Sequence, residues 1–134
     1  MLPSVLHVRQ DMNTDLGLEI IRGDRPLSDV SRLGVTVSRT PLFFEIDAPR
    51  RADTVLPTVD DVATGFLAHM SDGDELREWA AVVIGARFID LIALESDPDG
   101  EPIIEGLWDV SSGGPVAPSV MRAIAAVLNR RSHI

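Results

Sequence analysis

Residues Glu95-Ser96-Asp97-Pro98-Asp99-Gly100 place oxygen-bearing side chains at alternating positions and a glycine at the sixth. That arrangement opens a calcium-binding EF-hand loop. The second half of the pattern fails: Gly106 stands at the twelfth position in place of the bidentate glutamate, Pro102 at the eighth, and Glu105 one residue early. Without the closing carboxylate calcium loses its strongest ligand, so the segment is expected to be a helix-to-helix turn, with a calcium module as a lesser alternative.

The remaining reactive side chains carry weaker signals. His7, His69 and His133 have no neighbours at metal-ligand spacing, and His69 reads as a packing or capping residue. Asp60/Asp61 and Asp74/Glu75/Glu78 sit at expected helix starts, where capping and the helix dipole already account for them. With no lysine there can be no P-loop, and no G-x-G-x-x-G, G-x-S-x-G or H-E-x-x-H motif occurs. The absence of cysteine excludes disulfides, thiolate metal sites and a cysteine nucleophile. No catalytic residue and no cofactor is expected.

Charge is the more informative feature. The net charge of −9 argues against a nucleic-acid partner, because affinity for nucleic acid comes largely from neutralising phosphates. Residues 1–52 balance seven arginines against seven acids, whereas residues 53–121 set fourteen acids against Arg77 and Arg87 alone. Such asymmetry either makes a solvated acidic face or steers a basic partner.

The elements that must carry these residues change character near Pro57. Ser4–Val8, Leu16–Ile21, Leu33–Ser38 and Leu42–Asp47 read as antiparallel strands (about residues 4–47), with a hairpin joining Gly34–Val37 to Leu42–Ile46. Leu27–Arg32 reads as a short helical turn. Helices are expected at 58–70, 73–95, 102–112 and 118–130. Thr58 is the N-cap of the first, Asp72 and Glu75 form a capping box on the second, and Pro102 opens the third. Trp79 and Trp108 fall on apolar stripes and read as core, as do Met121 and Leu128 in the last helix. Strands followed by helices define an α+β fold, and 134 residues make one domain. No stretch is long and apolar enough for a bilayer span and no signal peptide is evident, so a soluble, cytoplasmic protein is expected.

Three fragments, Glu75-Leu76-Arg77-Glu78-Trp79, Phe88-Ile89-Asp90-Leu91 and Gly106-Leu107-Trp108-Asp109, lie within residues 71–113. This segment resembles the immunity proteins of bacterial polymorphic-toxin and contact-dependent growth inhibition systems. The resemblance implies a non-enzymatic protein that binds one toxin domain and blocks it, and it carries over no catalytic residue. The acids after Leu94, namely Glu95, Asp97, Asp99, Glu101, Glu105 and Asp109, are the expected contacts for a basic toxin of nuclease type. The alternative is a small enzyme with a carboxylate-based site, which requires carboxyls gathered in a deep pocket.

Overall fold

The computed structural model describes residues 16–40, 44–48 and 54–132, with the backbone alone for residues 131 and 132. Ser4–Val8, His7 and His133 lie outside the described residues. The first described element, residues 16–22, is a helix (α1) and not the expected strand. Gly17, Ile20 and Ile21 are its buried positions. They have the i, i+3, i+4 spacing of a helix face, whereas a strand would have turned Ile20 and Ile21 to opposite sides. A 3-10 helix over Leu27–Leu33 follows and buries Leu27, Val30 and Leu33 at its three-residue period.

The hairpin forms as expected, with Leu42 and Phe43 of the expected second strand outside the described residues. Strand β1 (Thr36–Arg39) pairs antiparallel with β2 (Phe44–Asp47), placing Val37 opposite Ile46 and Arg39 opposite Phe44. Helix α2 (Val59–His69) opens with a full capping box: Asp61 N–H donates to Thr58 Oγ1 at 3.2 Å, and Thr58 N–H donates to Asp61 Oδ2 at 2.9 Å.

Helix α3 (Gly73–Gly85) is shorter than the expected 73–95. After Gly85 the chain turns extended, and Ile89 makes a parallel bridge with Val55. Val55 N–H donates to the Phe88 carbonyl at 2.8 Å, and Asp90 N–H donates to the Val55 carbonyl at 2.9 Å. That pairing satisfies backbone groups on both segments and buries Val55 and Phe88, which a continuous helix would not do. A single turn, α4 (Ile92–Glu95), leads into α5 (Gly100–Ser111), and α6 (Pro118–Ser132) closes the described chain. The order of a hairpin followed by packed helices is an α+β fold.

Helices α3, α5 and α6 pack in sequence, with α2 against α6 and β2 against α3. One apolar cluster runs through them, centred on fully buried Trp79. The Trp79 ring meets Phe66 edge-on at 5.2 Å between centroids and stacks on His69 at 5.6 Å. Helices α5 and α6 approach closely at Gly106, where a Cβ would lie 2.8 Å from both methyls of Val120. Among the described residues no helix is long and apolar enough to cross a membrane.

Candidate partner-binding surface

The six expected contact acids divide into two sets. Asp97 and Asp99 occupy the α4–α5 turn, and the guanidinium of Arg130 at the end of α6 reaches both, at 3.4 and 3.1 Å. Asp97 Oδ1 also accepts the Asp99 N–H at 2.9 Å. These two carboxylates are therefore already partly neutralised within the chain, and any cation would compete with Arg130 for them. Gly100 has a structural reason of its own. A Cβ there would lie 1.8 Å from the Leu94 carbonyl oxygen, so the tight turn into α5 demands glycine without any calcium. Among the described residues no cluster of three or more acids or histidines is placed to hold a metal ion.

The second set faces outward. Glu95 is exposed at the end of α4. Glu101, Glu105 and Asp109 are exposed along one face of α5 at four-residue spacing, and among the described residues they make no ion pair. The opposite face of α5 buries Ile103, Gly106, Leu107 and Val110.

Trp108 belongs to the acidic face and not, as expected, to the core: it is 58% exposed. A tryptophan three residues from Glu105 and next to Asp109 falls outside the Ile103–Leu107–Val110 stripe by helical spacing alone, a signal already present in the sequence. Met121, also expected in the core, is exposed as well, while Val120, Ala123, Ile124 and Val127 carry the buried face of α6.

Beside Trp108 runs a groove of about 340 Å³. Its floor and walls come from Phe44 and Ile46 of β2, Ala81 and Ile84 of α3, and Trp108 with Ser111 of α5. Phe44 and Ile46 alternate with exposed Glu45 and Asp47, so the pleat of β2 turns both apolar side chains onto α3. At the hairpin end two guanidinium groups lie against the Phe44 ring, Arg39 at 5.5 Å and Arg77 at 5.3 Å from its centroid. Arg39 also approaches Asp74 at 3.5 Å, and Arg77 Nε donates to the Ser111 carbonyl at 3.4 Å. A second concavity of about 400 Å³ lies beyond Arg77, between the start of α3 and residues 113–116. The two concavities together include one carboxylate, Asp74.

His69 is buried under α3. Its Nδ1 lies 2.8 Å from Glu75 Oε1, and among the described residues its Nε2 has no hydrogen-bond partner. Glu75 thus turns toward His69, leaving the N-cap bonds of α3 to Asp72 alone, which accepts from the N–H groups of Asp74 and Glu75 at 3.1 and 3.2 Å. At the other side of the core Arg22 gathers Asp24, Asp60 and Asp61, the closest contact being 2.6 Å to Asp61 Oδ1. The hydrogen bond to Asp61, aided by the attraction of Asp61 and Asp24, raises the Arg22 pKa above the ordinary guanidinium value. Comparison with protein-family models, with curated proteins and with solved structures returned no match.

Proposed function

We propose that this chain is a non-enzymatic immunity or inhibitor protein that neutralises a basic toxin domain of nuclease type by covering its substrate groove. The observation that carries the reading is the placement of exposed Trp108 on the same face of α5 as Glu101, Glu105 and Asp109. Exposed tryptophan is the residue type most enriched among interface hot spots. Clustered carboxylates complement a groove built to hold phosphates and speed encounter with it. The likeness of residues 71–113 to immunity proteins points the same way. Of the six acids, the α5 set with Glu95 makes the primary contacts, and Asp97 and Asp99 contribute less because Arg130 already holds them.

The competing reading, a small enzyme with a carboxylate-based site, needs at least two carboxyls facing one pocket. The described concavities offer Asp74 and no second acid, so no specific observation favours it.

Co-expression of the tagged chain with its adjacent reading frames tests the proposal. A stable complex with a basic domain, lost in Glu101→Arg/Glu105→Arg and accompanied by protection of the host cell, is the expected result. Absence of any complex with the adjacent products would overturn it.

A further inference from the structure

The groove beside Trp108 is not accounted for by an acidic surface alone. Its lining is mostly apolar, with hydroxyls from Ser111 and Ser112, and acids flank it beyond Trp108 while two arginines flank it at Phe44. Glu105 lies one turn from Trp108 on the α5 side, where Glu101 and Asp109 extend the negative face. Arg39 and Arg77 lie against Phe44 on the hairpin side, where Asp74, 3.5 Å from Arg39, offsets part of their positive charge. Arg77 is one of two arginines in the whole of residues 53–121, and the fold sets it at this groove beside Arg39, which comes from the charge-balanced first part of the chain. A uniformly basic surface laid across both edges would meet repulsion at the hairpin, and like charges brought together at an interface weigh heavily against binding.

We infer that the groove between β2, α3 and α5 is the anchor site of the partner interface. It receives one bulky apolar side chain from a partner segment that carries a basic residue on the α5 side and a carboxylate on the hairpin side. This inference rests on the basic-partner reading and deepens it by fixing the order of charges along the bound segment. The groove's volume, about 340 Å³, lies at the small end of ligand pockets, which suits a single side chain better than a large ligand. Trp108 then does two things at once. Its ring forms one wall of the groove, and its exposed face is open to a cation from the partner. Removal of water from the apolar anchor strengthens the flanking ion pairs, the arrangement that hot-spot residues adopt at protein interfaces.

Selection of random dodecapeptides displayed on phage against the intact protein tests this without knowledge of the natural partner. The expected consensus is basic, then bulky apolar, then acidic, in one direction along the peptide. Trp108→Ala and, independently, Ser112→Arg, an exposed change at the mouth of the groove that leaves the core untouched, should each weaken the selected peptides by about tenfold to a hundredfold. Arg39→Glu should shift the selection at the acidic position toward a basic residue. Basic peptides that bind both groove variants as tightly as the wild type would overturn the anchor while leaving the basic-partner reading intact. Selected peptides without any basic residue would overturn both. Self-association of the protein that Trp108→Ala abolishes would also overturn it, by assigning the groove to a second copy of the chain.

Discussion

The indole Nε1 of Trp79 donates a 3.0 Å hydrogen bond to the backbone carbonyl of Ile21, joining α3 to the end of α1 across 58 residues of sequence. The carbonyl lies in the last turn of α1, where helix geometry leaves acceptors without intrahelical partners. A buried carbonyl without a partner is costly, so the bond fixes where α1 docks as well as how Trp79 is turned.

Trp79→Phe keeps most of the apolar volume and removes the donor. It should cost about 1–3 kcal/mol, seen as a lower urea midpoint at unchanged slope. Trp108→Phe, on the exposed face of α5, should change stability by no more than about 0.5 kcal/mol. Tryptophan emission separates the two sites: Trp108→Phe leaves an indole shielded from acrylamide, and Trp79→Phe leaves one that is quenched readily. Equal losses of stability in the two variants would contradict the assignment of one indole to the core and the other to the surface.

The close approach of α5 and α6 should show as coupling between Gly106 and Val120. In Gly106→Ala the new methyl would lie 2.8 Å from both Val120 methyls, so the helices must separate or Val120 must turn. Overpacking of this kind costs about 1–3 kcal/mol. Val120→Ala alone opens a cavity at a fully buried site and is destabilising in its own right. The double variant should be more stable than the sum of the two changes implies, by at least about 0.5 kcal/mol. Simple additivity in denaturation would show that the two residues do not share the contact.

Trp79 was legible in the sequence because its stripe of Leu76, Ala80 and Val83 repeats over several turns, and periodic burial is what a sequence displays best. The N-cap at Thr58 and the hairpin between residues 34 and 47 were legible because local chemistry fixes both. The capping box expected of Asp72 and Glu75 does not form, since Glu75 turns to His69, and the one that does form joins Thr58 and Asp61. The helical state of residues 16–22 was not legible, because a short apolar run suits either element and tertiary contact decides. Nor was the break after Gly85, which depends on pairing with Val55, more than thirty residues earlier in the chain. The candidate surface was half legible. Its acids were found by charge, but the groove joins three elements, and Arg130 neutralises Asp97 and Asp99 from α6, a contact no local pattern announces.

Arg22 provides a prediction about pH. Its folded-state pKa is raised, chiefly by the hydrogen bond to Asp61, so its contribution to stability is complete below the ordinary guanidinium value and lost only above the raised one. Both lie beyond the range in which the protein is normally handled. Arg22→Met should therefore lower stability by about 1–3 kcal/mol, because the well-buried Asp61 carboxylate loses its partner, with partial solvent access keeping the loss below that of a fully buried pair. The difference from wild type should stay level between about pH 6 and about pH 9 in urea titrations. A loss that grew or vanished across that window would place the stabilisation in some other titrating group.

Arg130 tests the proposed steering by the acids from the opposite direction. Its guanidinium lies within 3.4 Å of Asp97 and 3.1 Å of Asp99, with its own side chain about half exposed. Exposed pairs of this kind contribute less than about 1 kcal/mol, so Arg130→Gln should fold with little change in melting temperature. The substitution releases two carboxylates beside the α5 face and makes the local field more negative. A basic partner should then associate faster at low ionic strength, with the gain shrinking as salt approaches about 0.1 M and the screening length falls to about 10 Å. Dissociation should be nearly unchanged, because steering acts on encounter more than on the formed complex. Stopped-flow mixing followed by Trp108 emission reads both rates. Slower association in the variant would mean that Arg130 is itself a contact, and that the end of α6 takes part in binding through its cation in place of the acids of the α4–α5 turn.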